Sequence, residues 1–134
     1  MTWEEELAAI TVAANNFGVD ALFVATIRKV ENGSTNDPDA EFGVLKLRGK
    51  GYAAQLKATC ETVRHRLMVY TQNPFNLWPT ANASMRLGYT RQWIREFAAA
   101  WAPIGVQNDP SGMNSAWPDN ALAVYAKLIS EVEP

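Results

Sequence analysis

The chain has 134 residues, 48% of them apolar and 19% charged, with a net charge of −2; that length and composition predict one folded domain over residues 1–134 and argue against disorder. So small a charge gives no electrostatic case for nucleic acid or an anionic surface, and no apolar run reaches the roughly 18 residues of a membrane span. One cysteine, Cys60, and one histidine, His65, exclude an internal disulfide and a zinc site built of thiolates and imidazoles.

Thr2 followed three residues later by Glu5 reads as a capping box. Behind it Trp3, Leu7, Ile10, Ala14 and Phe17 form the stripe of an amphipathic helix, closed by Asn15, Asn16 and Gly18. Asp20 caps a second helix over residues 21–31 with an apolar face of Phe23, Ile27 and Val30. Residues 32–40 are turn chemistry. Glu41 to Leu47 reads as a short strand, and Arg48 to Gly51 returns the chain. A long helix follows from Tyr52 to Thr71, with Leu56, Cys60, Val63, Leu67 and Tyr70 in heptad spacing. The stretch from Asn73 to Pro79 is a loop carrying Phe75 and Trp78. The next helix covers residues 84–101 with Tyr89, Trp93, Ile94, Phe97 and Trp101, and Pro103 stops it. Gly105 to Asn114 is again loop. The last helix enters through Pro118 and packs Leu122, Tyr125, Leu128, Ile129 and Val132. The expected fold class is mainly α: a compact helical domain with at most a small β-hairpin.

Within this frame Glu31 stands out. It lies four residues after Ile27 and eight after Phe23, so it projects beside the apolar face where the second helix ends. Partial desolvation disfavours a charged carboxylate, and glycoside cleavage needs a carboxylic acid as proton donor. The alternative is a solvated glutamate in a last turn, where a negative charge opposes the helix dipole. Second carboxylates are Asp37, Asp39 and Glu41; the two aspartates also suit plain turn formation, so Glu41 is the better candidate. In the segment from Trp101 to Asn114, an aromatic ring can stack on a sugar face while Asn108 and Asp109 bond its hydroxyl or acetamido groups. Equally, Trp101 continues its helix's core stripe, and Asn108 and Asp109 serve as cap and turn. Cys60, on a heptad stripe, reads as a buried structural thiol, and His65 as a surface residue. Arg28–Lys29 and Arg64–His65–Arg66 form either a basic strip or ordinary solvated faces. Gly43, Gly49 and Gly51 match no nucleotide-binding spacing, and there is no Gly-x-Ser-x-Gly elbow.

A helix ending in Glu31, a polar loop, and then Glu41-Phe-Gly-Val-Leu45 resembles the catalytic core of the lysozyme-like superfamily, which includes lytic transglycosylases and bacterial N-acetylglucosaminidases. Trp101-Ala-Pro, Asn108-Asp-Pro110, Asn114 and Trp117, followed by a helix with Tyr125, resemble the closing segment of phage-type peptidoglycan-degrading domains. The resemblance implies that Glu31 is the catalytic acid, that Phe42 and Gly43 line the cleft, and that Tyr125 or Tyr89 is the cleft tyrosine. It implies cleavage of peptidoglycan glycan strands by a monomer with no cofactor and no metal, no nucleic-acid partner and no stable membrane insertion. The common Glu-Ser dipeptide of lytic transglycosylases is here Glu31-Asn32, and their Gly-Leu-Met-Gln segment is Gly43-Val-Leu-Lys46, which leaves hydrolysis and attack by the sugar's own 6-hydroxyl both open. The acidic start, Met1 to Glu6, lacks the basic region of a secretory signal. The expectation is therefore cytoplasmic synthesis with action in the cell wall or periplasm, as for a phage lysis or virion-borne enzyme. The rival expectations are a non-catalytic glycan-binding or phage structural module of the same fold, or a small helical interaction domain.

Overall fold

The computed structural model describes residues 1–35, 39–71, 83–102 and 112–132, with the side chains of 32–35, 71, 83–90 and 113 outside that description. The fold is mainly α, and among the described residues it has five helices: α1 (Trp3–Phe17), α2 (Ala21–Thr35), α3 (Tyr52–Thr71), α4 (Ala83–Trp101) and α5 (Trp117–Val132), with 3₁₀ turns at Leu45–Leu47 and Met113–Ala116. No helix among the described residues is long and apolar enough to cross a membrane.

Local signals set the helix ends. Thr2 and Glu5 form the capping box, each side chain bonding the other's backbone N–H at 3.1–3.2 Å. Gly18 closes α1 with φ 69°, a conformation that disfavours a Cβ. Asp20 caps α2, its Oδ1 accepting from the Leu22 N–H at 2.8 Å. α2 runs four residues beyond its expected end, through Asn32-Gly-Ser-Thr35; once a helix is nucleated, each added residue closes one more hydrogen bond, so weak helix formers are carried along.

The expected strand over 41–47 is not there. Glu41 and Phe42 lie in a turn, with the Gly43 N–H bonded to the Ala40 carbonyl at 2.9 Å, and Leu45–Leu47 is a 3₁₀ turn. No strand occurs among the described residues. What replaces a partner strand is a side chain: the fully buried Gln55 of α3 accepts from the Val44 N–H at 3.1 Å and donates to the Val44 carbonyl at 2.9 Å. Gln55→Leu would leave the Val44 N–H unpaired, while the Val44 carbonyl keeps its bond from the Leu47 N–H at 3.0 Å; it is expected to cost roughly 1–3 kcal/mol of stability, read by urea denaturation.

α5 packs on α2 and α4, α1 on α2 and α3, and α3 on α4, so all five helices share one apolar core. The stripes expected on α3, α4 and α5 are largely those that the core uses, including Leu56, Cys60, Val63, Leu67, Trp93, Phe97, Leu128 and Ile129; Val132, in the final turn of α5, is instead 47% exposed. Phe23 is the hub. Its ring meets Phe97 edge-on at 5.2 Å, Tyr125 at 6.2 Å and Trp93 at 5.6 Å.

Two acidic groups, the buried Cys60 and the partly buried Tyr52, make stability fall in alkali. Burial pushes the Cys60 thiol up to about 11 from a usual 9.0. Burial, and then the neighbouring Glu6 carboxylate, raises the Tyr52 phenol well above its usual 10.0. The folded chain holds these protons more tightly than the unfolded chain, so this contribution is whole below about pH 9 and is lost as pH rises through 11 and beyond. Between pH 9 and 11 the Cys60 contribution alone is expected to cost wild type about 2 kcal/mol, and Tyr52 adds to that loss. Cys60→Ala should flatten the early part of that slope in denaturation curves taken across the range.

Candidate active site

Glu31 sits about one turn before the end of α2, half buried. Its Oε1 accepts two indole N–H bonds, each of 3.0 Å: one from Trp101 at the end of α4, the other from Trp117 at the start of α5. These two tryptophans bracket residues 103–111 in the sequence and meet on one carboxylate oxygen. Phe97 fixes both rings, stacking on Trp101 at 5.4 Å and 22° and lying 5.9 Å from Trp117. A continuous aromatic column thus runs from Phe23 in the core through Phe97 to the indoles at Glu31. The two donors also answer the mismatch between a carboxylate and the negative end of the α2 dipole.

Oε2 faces the loop between α2 and α3. A Cβ on Gly43 would fall 2.4 Å from Oε2 and 2.8 Å from Cδ, so the carboxylate and the Gly43 backbone pack together only because this residue has no side chain. Gly43 also has φ 74°. Gln55 secures the neighbouring Val44, and Arg28 secures Glu41. The Arg28 Nη1 donates to the Glu41 carbonyl at 3.1 Å while its Nε pairs with Glu6 at 2.7 Å, with both side chains nearly buried at 14% and 13% exposure. Arg28 is therefore a strut joining α1, α2 and this loop. Lys29 lies over the Trp3 ring at 4.0 Å, and Arg64 donates to the Phe17 carbonyl at 2.8 Å. Arg28, Lys29 and Arg64, three of the residues of the expected basic strip, are thus taken up by separate structural tasks.

The residues expected at the site fare differently. Glu31 and Gly43 are brought together. Glu41 lies in the same loop, half buried, and its Oε2 is buried with no hydrogen-bond partner. Phe42 is fully buried and packs on Tyr52 at 5.4 Å, so it belongs to the core and not to a cleft wall. Tyr125 is also fully buried. Its hydroxyl donates to Asp20 Oδ2, whose other oxygen caps α2, which makes it a link between α5 and α2 in place of a cleft tyrosine. Asp39 is exposed and pairs with Arg48 at 3.5 Å. Tyr89 falls in α4 with its side chain outside the described residues, and Asp37, Phe75, Trp78, Asn108 and Asp109 lie outside them altogether. His65 is exposed and Cys60 buried, as expected. Among the described residues no cluster of three His, Cys, Asp or Glu side chains could hold a metal.

Sequence reading named Trp101 and Trp117 but not their bonds to Glu31, and it missed Gln55 and Arg28 as supports. One signal was available: a buried indole N–H requires an acceptor, and a glutamate set against a helix dipole requires donors. Compared with known proteins, the chain matches no family model, no curated protein and no solved structure.

Proposed function

We propose that this protein cleaves the glycan strands of peptidoglycan, with Glu31 protonating the glycosidic oxygen as the bond breaks. The observation that carries this reading is the mounting of Glu31: half buried, one oxygen gripped by two indole N–H groups, the other against the bare backbone of Gly43. With both indoles on Oε1, the proposal assigns delivery of the proton to Oε2. A proton donor fixed in this way has its orientation settled before substrate arrives, which is where much of the benefit of positioned acid catalysis lies.

Glu41 takes the subordinate role in the proposal. Its unpartnered Oε2 accepts the proton of the attacking water or sugar hydroxyl once the loop admits substrate. Purified protein incubated with peptidoglycan sacculi tests the reading by mass spectrometry of soluble products. Muropeptides are expected, and reducing or 1,6-anhydro ends identify hydrolysis or internal attack.

A second reading has an observation of its own. Two indoles converging on one carboxylate join α2, α4 and α5, as a purely structural staple would. Folded protein that releases no muropeptide supports that reading, and with it a non-catalytic glycan-binding or phage structural module.

A further inference from the structure

We propose that a second site, between α3 and α4, binds a small zwitterion of the amino-acid class. The cavity there measures about 270 Å³ and is lined by Arg66, Val69, Tyr70, Trp93 and Glu96. Sites for drug-sized ligands run from roughly 300 Å³ upward, so this one suits a fragment of about one amino acid. It is separate from the Glu31 site. Trp93 and Trp101 are eight residues apart on α4, about 12 Å along the helix axis.

Three features define the ligand. The Arg66 Nε is buried without a hydrogen-bond partner, although guanidinium N–H groups normally find acceptors when buried; a carboxylate is the matching group. Across the cavity on α4 stands Glu96, exposed, and among the described residues Arg66 and Glu96 form no salt bridge with each other. Two opposite charges on facing walls, neither with an ionic partner among the described residues, fit a molecule carrying both complementary charges. Between them the Tyr70 and Trp93 rings, 5.7 Å apart and tilted at 53°, supply an apolar wall for an aliphatic body and a π face for an ammonium group.

L-leucine, N-acetyl-L-leucine, L-leucinamide and glycyl-L-leucine, titrated into isotope-labelled protein while the Trp93 indole resonance is followed, test the site. L-leucine is expected to bind in the millimolar range, and the two singly charged analogues about tenfold more weakly. Arg66→Gln should weaken L-leucine and N-acetyl-L-leucine by about tenfold or more. Glu96→Gln, at an exposed helical position, should weaken L-leucine and leave N-acetyl-L-leucine unchanged. Glycyl-L-leucine binding as well as L-leucine identifies a peptide terminus as the ligand, and weaker binding identifies the free amino acid. Equal binding of charged and blocked probes, or an unmoved Trp93 resonance at saturating concentrations, overturns the proposal.

Discussion

Glu31→Gln is expected to lower glycan cleavage by a factor of roughly 10²–10⁴ while leaving the fold intact. Glutamine keeps a carbonyl oxygen where Oε1 stands, so Trp101 and Trp117 retain an acceptor; it lacks the proton that the reaction consumes. The charge-assisted part of the two bonds is lost, which sets the stability cost near 1–2 kcal/mol. Glu31→Ala makes the complementary measurement. It removes the acceptor altogether and strands two indole N–H groups, one of them on Trp117, which is only 5% exposed. Trp101, half buried, regains part of its loss from water. The expected destabilisation is roughly 2–4 kcal/mol, slightly reduced because a charge opposed to the α2 dipole is also gone. Sacculus digestion and urea denaturation on both variants separate the two roles of this residue. A Glu31→Gln protein as active as wild type would remove the catalytic reading and leave Glu31 as a structural staple, whatever Glu31→Ala does to stability.

What could be read from the sequence was what depends on near neighbours along the chain. The Thr2–Glu5 box, the Asp20 cap, the heptad stripe of α3 and the position of Glu31 beyond Ile27 each follow from side chains that succeed one another at steps of two to four residues along the chain. What could not be read depends on distant partners. Trp101 and Trp117 are 70 and 86 residues from the carboxylate that they grip, and no periodicity encodes that convergence. The lost strand has the same cause. Apolar residues from Phe42 to Leu47 suggest an extended run, yet Gly43 adopts a positive φ and a glutamine side chain from α3 satisfies Val44 in place of a neighbouring strand. The family resemblance places Phe42 and Tyr125 at a cleft; burial in the core, at 0% exposure each, is a tertiary outcome.

Gly43→Ala is expected to be the most damaging single-methyl change in the molecule, and Gly49→Ala shows why. Both glycines have left-handed backbones, φ 74° and φ 78°, so alanine at either position carries a conformational cost of about 1–2 kcal/mol. There the likeness ends. A Cβ at Gly49 meets nothing within 4 Å, whereas at Gly43 it meets Oε2, Cδ and Cγ of Glu31 at 2.4, 2.8 and 3.1 Å. A free glutamate would swing aside at little cost, but this one is pinned by both indoles, so either those bonds stretch or the loop moves against the Gln55 and Arg28 tethers. Gly49→Ala should therefore cost about 1–2 kcal/mol and leave glycan cleavage near wild type. Gly43→Ala should cost roughly 2–5 kcal/mol, since overpacking adds 1–3 kcal/mol to backbone strain. On the catalytic reading it should also slow cleavage about 10²-fold, the penalty of displacing a reacting group by about 1 Å. Denaturation and sacculus digestion of the two variants side by side decide the matter: equal stability losses would mean that the close approach of Gly43 to Glu31 does not constrain the carboxylate. A larger stability loss at Gly43 with unchanged cleavage would mean that the approach is real but that the acid acts from elsewhere.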